Sequence, residues 1–314
     1  MTGSGHRPDS PLAASAYEVL GVDPGAGEEE LRRAFRMRLR QTHPDAGGDA
    51  AVFVRVQRAW EQVGTPAARA AYDRGQGSPD QGHHAPDAPG FGSAPRAWTR
   101  PRTRSSGLPG GWRRERYTDA VREWVGRGSD APDPYQPALV RQLPREIRAV
   151  LARAVAEEAT ARVIAELGIG YTAWHGIAPG ERRRPDVEVD HVVLGPSGLY
   201  GIVSLDFGGP VGFRRGEIVG PHVSHPPVSA LLSGIRELTR SARVRFGGAI
   251  LVLPDDDLPA AVTPLGGTRG VAVVAAGRGA LSGVLRQGVP GVPELGGTAV
   301  FDMRTRLDQA VRLR

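Results

Sequence analysis

Leu31-Arg32-Arg33-Ala34-Phe35-Arg36-Met37-Arg38-Leu39-Arg40-Gln41-Thr42-His43-Pro44-Asp45 is the stretch on which the fold of the N-terminal part turns. Leu31, Ala34, Phe35 and Leu39 recur at near-helical spacing, with Arg32, Arg33, Arg36 and Arg40 off that stripe. This predicts an amphipathic helix with one apolar and one cationic face. Pro44 ends it, because the residue before a proline is driven out of the helical region. Upstream, Asp23-Pro24-Gly25 and Gly27 read as a turn, and Glu28-Glu29-Glu30 as an acidic first turn that complements the helix dipole. Downstream, Ala46-Gly47-Gly48-Asp49 reads as a tight loop whose aspartate suits the cap of the next helix. That helix sets Phe53, Val56, Trp60 and Val63 on one face, and two such helices with a short loop predict an antiparallel hairpin.

Tyr17-Glu18-Val19-Leu20-Gly21-Val22 precedes this hairpin and Ala70-Ala71-Tyr72-Asp73-Arg74 closes it. Together with the basic second helix, His43-Pro44-Asp45 and the Phe53…Trp60 helix, these segments resemble the J domain of DnaJ-type co-chaperones over residues 15–75. The resemblance implies an all-α helical hairpin that contacts a DnaK-type chaperone ATPase and triggers its ATP hydrolysis. It assigns Arg32, Arg36 and Arg40 to electrostatic steering and His43, Pro44 and Asp45 to the trigger. An arginine row does create a field that attracts an acidic partner. Two positions depart from the family's habit: Arg38 stands where leucine is usual, and Thr42 where tyrosine is usual.

The chain has 314 residues, which suggests about two domains, with 40% hydrophobic residues, enough for a packed core beyond the hairpin. There is no cysteine, so disulfides and cysteine–zinc sites are excluded, and with them the zinc-binding region of the longest DnaJ class. No apolar run approaches membrane-spanning length and the first residues lack a hydrophobic signal core, so the expected compartment is the cytoplasm, with no membrane partner. All 40 basic residues of the Lys+Arg count are arginine, a usage that fits a GC-rich bacterial coding sequence. A net charge of +6 permits contact with nucleic acid or acidic proteins without requiring it.

Residues 1–14 read as a disordered tail, and residues 76–134 as a Gly/Pro/Arg-rich linker. The linker's first half is a flexible spacer by composition. Its second half interleaves Trp98, Arg100, Arg102, Arg104, Trp112, Arg113, Arg114 and Arg116. That pattern suits phosphate contact with base stacking, a charged linker, or a strip docked on the following domain. Tyr117–Gly126 could form a short helix.

From residue 135 to 314 the pattern is α/β. Ala138–Leu167 reads as helix broken near Pro144, Asp186–Leu194 and Leu199–Leu205 as strands about a Gly195-Pro196-Ser197-Gly198 turn, and Val211–Ile218 as a hairpin. Val228–Arg243 reads as an amphipathic helix, Gly248–Leu253 and Gly270–Val274 as strands, with short helices at Ala280–Arg286 and Asp302–Arg314. Mixed strands and helices predict a central mixed sheet flanked by helices. Val189-Asp190-His191-Val192-Val193-Leu194-Gly195-Pro196-Ser197-Gly198-Leu199-Tyr200 resembles the nuclease-related NERD domain, a family similar to restriction-endonuclease-like folds. There an acid on one strand, an acid and a lysine on the next, and a helix glutamate hold magnesium. By that resemblance Asp190 is the first acid and Glu157 or Glu158 the helix glutamate, with Asp190 and Glu158 the candidate relic metal site. The acid-x-lysine positions fall on Val203, Ser204 and Leu205, and arginine does not replace the lysine. The resemblance therefore implies no catalytic residue, metal or cofactor. Asp190 reads equally as a strand-end polar residue satisfied by backbone or by His191, and Asp255-Asp256-Asp257 as an exposed acidic turn.

Two functions are compatible with this organisation. One is a J-domain co-chaperone in protein folding and the stress response, whose α/β domain targets it or holds a client. The other is a nucleic-acid-binding protein that uses a degenerate nuclease-like domain and the Arg/Trp linker.

Overall fold

The computed structural model describes residues 11–12, 14–43, 50–73, 102–126, 133–178, 188–268 and 270–314. Four helices come first: α1 (Ala16–Leu20), α2 (Glu28–Thr42), α3 (Ala50–Val63) and α4 (Pro66–Asp73). Strand β1 (Arg104–Ser106) and helices α5 (Gly111–Val125), α6 (Pro137–Gln142) and α7 (Arg145–Ala165) follow. Then come β2 (Thr172–His175), β3 (His191–Gly195), β4 (Gly198–Ser204), β5 (Gly212–Arg214), β6 (Glu217–Val219) and α8 (Pro227–Ala242). The chain continues with β7 (Gly248–Leu253), β8 (Val262–Thr268), β9 (Val271–Gly277), α9 (Leu281–Gln287) and α10 (Gly297–Ala310). It divides into two compact units: Met1–Trp98 with Trp124–Pro144, and Thr99–Glu123 with Arg145–Arg314.

In the first unit α1 opens on a capping box: the Glu18 amide donates to Ser15 Oγ at 3.1 Å, and the Ser15 amide to Glu18 Oε2 at 2.8 Å. Gly21 then closes α1 in the left-handed region at φ 74°, a conformation open to glycine without steric penalty. Leu31 of α2 and Val56, Ala59 and Val63 of α3 bury against Ala16, Tyr17 and Leu20. Phe35 stacks on Trp60 with centroids 4.4 Å apart. Helix α4 is fixed to α1 by two hydroxyls. The Ala16 amide donates to Tyr72 Oη at 2.9 Å, and Tyr17 Oη donates to Asp73 Oδ1 at 2.8 Å. Arg38 is half-buried, and a side chain at Gly21 would meet its guanidinium at 3.0 Å. The Thr42 hydroxyl turns back onto the Arg38 carbonyl at 2.8 Å. Of the stretch expected to be a disordered tail, residues 11, 12 and 14 are described, and Leu12 is buried.

The second unit is built on a seven-stranded mixed sheet in the order β1-β2-β3-β4-β7-β9-β8. Strands β4, β7 and β9 run parallel, as do β1 and β2, while β2-β3-β4 and β9-β8 are antiparallel. Strict alternation sends Val192, Leu194, Leu199, Val203, Leu251 and Leu253 to one face, against Leu231, Ile235 and Leu238 of α8 and Leu307 of α10. Val193, Tyr200, Ile202, Ile250, Val252 and Val274 go to the other, against Ile164 of α7 and Leu281 and Leu285 of α9. Helix α8 can approach this closely because β4 carries Gly201, where a Cβ would lie 2.6 Å from Ile235. Among the described residues no helix is long and apolar enough to cross a membrane.

Several elements differ from what the sequence predicts. The stretch read as linker contributes β1, hydrogen-bonded in register with β2, and the fifteen-residue α5. Strand β8 contains Pro264 and two glycines and survives as an edge strand with a bulge at Pro264/Gly266. The hairpin expected over Val211–Ile218, by contrast, forms as β5–β6 and turns on Arg215-Gly216, both at positive φ. Asp255–Asp257 is a 3-10 turn in which Asp257 is buried and Asp255 accepts the Gly279 amide at 2.9 Å, rather than a wholly exposed acidic turn.

Candidate functional site

The helical unit carries four of the six sequence-assigned residues, Arg32, Arg36, Arg40 and His43, along α2 and at its C-terminal end. Arg32, Arg36 and Arg40, four residues apart on α2, are all exposed. Arg32 pairs with Glu28 one turn back at 2.5 Å, a solvent-screened contact worth little to stability. Arg33, Arg36, Met37, Arg40 and Gln41 line a shallow depression on the same helix, with Met37 half exposed. His43 terminates α2 in an extended conformation, φ −63° and ψ 129°, as expected for a residue before proline. Its ring sits edge-on to Phe53 of α3 with centroids 5.1 Å apart, so the helix packing itself orients the imidazole. Pro44 and Asp45 lie outside the described residues. The arrangement is an oriented histidine at the end of a cationic, partly apolar helix face.

The DnaJ domain family matches residues 15–73. Residues 15–73 are a J domain. DnaJ from Thermosynechococcus vestitus is 44% identical over 66 residues, 20% of this chain and 18% of that protein. DnaJ from Opitutus terrae is 47% identical over 62 residues, 18% of this chain and 16% of that protein. The human Translocation protein SEC63 homolog is 37% identical over 82 residues, 26% of this chain and 10% of that protein. The chain thus spans less than a fifth of the length of these relatives. No solved structure matches it. The J domain supports a DnaJ-type co-chaperone role; J-domain proteins partner with Hsp70/DnaK chaperones, and their family is not itself enzymatic.

The α/β unit holds a second concentration of charge, buried beside β3. Arg113 of α5 is 6% exposed, and its guanidinium meets three carboxylates: Asp190 Oδ1 at 2.7 Å, Glu157 Oε2 at 3.1 Å and Glu188 Oε1 at 3.3 Å. Arg153 of α7 donates to Glu188 at 2.7 Å, and the Ser204 amide donates to Asp190 Oδ2 at 2.8 Å. Burial, then the charge of Asp190, pushes the Glu157 carboxyl up to about 7. Burial also opposes ionisation of Glu188, but Arg153, His225 and Arg113 outweigh it and hold that carboxyl well below the usual range. The Trp112 ring has two guanidinium groups over it, Arg113 at 4.7 Å and Arg314 at 4.0 Å from its centroid. Residues 311–314 are strapped to the segment that follows β2 by backbone bonds from Arg314 to Gly176 and from Ala178 to Arg312, each 2.8 Å.

Beside this cluster is a neutral buried chain. His175 Nδ1 and His191 Nδ1 are 2.8 Å apart, and His191 Nε2 is 3.2 Å from Ser204 Oγ. Burial lowers the His175 pKa to about 4. It lowers that of His191 too, helped by His175 and Arg113.

Of the candidate relic residues, Asp190 lies in the cluster, but Glu158 does not. It forms a forked pair with Arg114 at 2.6 and 2.8 Å, and its neighbour Glu157 is the helix glutamate that shares an arginine with Asp190. A one-residue step on α7 turns the side chain by about 100°, and only Glu157 faces the sheet. Asp190 is satisfied by the Ser204 backbone and Arg113, not by His191. Val203 and Leu205 are core residues, and Asp206 caps the Gly208 amide at 2.9 Å. Glu188 and Arg153 carry no sequence signal of their role. Arg113 carried one, its place in an arginine and tryptophan strip, and docking on the following domain is the fate it meets. Among the described residues no group of three or more His, Asp or Glu side chains is placed to hold a metal ion.

Proposed function

We propose that this chain is a J-domain co-chaperone that binds a DnaK-type chaperone in the cytoplasm and stimulates its ATP hydrolysis. In this proposal the α/β unit serves as the targeting or client-binding module. The observation that carries the reading is the position of His43, held by Phe53 at the end of an exposed arginine row. Arg32, Arg36 and Arg40 steer the acidic partner and His43, Pro44 and Asp45 make the specific contact. Under this reading the α/β unit is a restriction-endonuclease-like scaffold, akin to a NERD domain, without catalysis. What supports that is Arg113, which fills the space among Glu157, Glu188 and Asp190 with an internal cation.

The test is steady-state ATP hydrolysis by a bacterial DnaK with the full chain added, beside the His43→Gln variant. Stimulation by the wild type and its loss in a variant with unchanged circular dichroism is the expected result. Equal stimulation by both would refute the role of His43, and none by either would refute the co-chaperone reading.

A further inference from the structure

The α/β unit carries an arginine row that neither the J domain nor the buried cluster uses. On α8, Val228, Leu231, Ile235 and Leu238 face the sheet, so Arg236 and Arg240 project outward one turn apart, about 6 Å along the helix. Arg243 follows as the helix cap. Val244 and Phe246 are buried, so Arg245 between them points outward on the segment that leads to β7. From α10, Arg306 Nη1 donates to the Arg243 carbonyl at 3.2 Å, which brings a fifth guanidinium to the same edge. All five arginines are exposed, and none has a carboxylate within ion-pairing distance among the described residues. This contrasts with Arg113, Arg114 and Arg153, each committed to a carboxylate. Glu237 is half-buried and sits about 100° around α8 from Arg236.

Arg243 adds an independent observation. It holds φ 52° and ψ 39°, the left-handed position where a helix cap is most easily glycine. A guanidinium is therefore kept at a site whose backbone disfavours any side chain.

We propose that Arg236, Arg240, Arg243, Arg245 and Arg306 form a phosphate-binding face that docks the α/β unit on the backbone of a nucleic acid. This rests on the reading of that unit as a targeting module and names what it targets. The guanidinium fork suits two phosphate oxygens at once, and successive unpaired arginines suit a polyanion more than one isolated carboxylate. The site differs from the arginine and tryptophan strip expected from sequence, because Arg113 and Arg114 are spent inside the fold.

The experiment is fluorescence anisotropy of a labelled 20-base-pair DNA and a labelled 20-nucleotide RNA with the full chain. Salt is varied from 50 to 200 mM, and the Arg236→Gln/Arg240→Gln/Arg243→Gly variant is run in parallel. Glycine at 243 suits the left-handed cap and leaves the fold intact. Four to five phosphate contacts predict a loss of affinity for the duplex of about 150- to 500-fold across that salt range, and the variant should lower the salt slope by about three. No binding at 50 mM salt, or equal binding by the variant, overturns the proposal. So does binding of phosphatidylserine vesicles or acidic protein with no binding of nucleic acid. DnaK stimulation measured on the same variant separates the two readings. It should be unchanged; its absence from both proteins while binding persists would remove the co-chaperone reading and leave this one standing.

Discussion

Replacing Arg113 by methionine removes the shared cation from three carboxylates while keeping much of the side chain's volume. Glu157 and Asp190 are then left buried with one fewer partner, and Glu188 keeps Arg153. Breaking a buried ion pair from one side costs about 3–5 kcal/mol, because the remaining charge is uncompensated. Glu157 already titrates at about 7, so it can take up a proton and shed part of that penalty, which points to about 3 kcal/mol. For a unit of this size that corresponds to a fall of roughly 6–12 °C in the unfolding midpoint. The assay is differential scanning calorimetry of the full chain at pH 7.5 and pH 5.5. The loss should be smaller at pH 5.5, since Glu157 is protonated there in the folded protein. The Arg113→Met/Glu157→Gln/Asp190→Asn variant should recover most of the midpoint, because it removes the stranded charges along with their partner. A loss under about 1 kcal/mol in the single variant would refute the reasoning, as would a triple variant less stable than the single one.

Acid should weaken the α/β unit through its histidine pair. The folded pKa of His175 is about 4 against 6.5 unfolded, so its contribution is complete above pH 6.5 and is lost as the pH falls toward 4. The His175 loss is about 3 kcal/mol; Glu157, whose folded carboxyl binds a proton sooner, opposes it by a similar amount, and the lowered pKa of His191 leaves acid destabilising. Urea denaturation across that range should show a shallower pH slope for His175→Asn, and an identical slope would contradict it. Gly21→Ala forces a side chain into φ 74° and against the Arg38 guanidinium; the J domain should lose about 1–2 kcal/mol by the same measurement, and a neutral result would show that the cap relaxes freely.

The J domain was legible because its signals are local. A proline stops a helix wherever it occurs, a glycine marks the left-handed cap, and the stripe of Leu31, Ala34, Phe35 and Leu39 carries a helical period that short loops fold back on itself. The inner strands β3, β4 and β7 were legible for the same reason, being continuous apolar runs. What escaped was held by distant partners. β1 is three exposed residues, defined only by its pairing with β2. The first turns of α5, ahead of the helix expected at Tyr117–Gly126, lack an apolar stripe, since Arg113 and Arg114 hold them to α7 in place of leucines. β8 has a proline and two glycines in seven residues, a composition that reads as loop until an edge position is available to it.

The same limit explains why the arginine strip stayed ambiguous between phosphate binding, solvated linker and docked segment. An isolated sequence shows how many guanidinium groups there are but not which carboxylates face them, and that pairing decides their chemistry. Arg113 stays charged at a buried position because Asp190, Glu188 and Glu157 outweigh the cost of burying it, so the guanidinium is bound too firmly to serve an external anion. Arg236, Arg240 and Arg243 carry the same charge on a solvent-facing edge with no carboxylate opposite among the described residues, so theirs remains available. Internal neutralisation therefore sorts a chain of 40 arginines into those that hold the fold and those that can meet a partner. Among the described residues that criterion admits Arg36 and Arg40 on the exposed row of α2 in the J domain and the edge formed by α8 and α10.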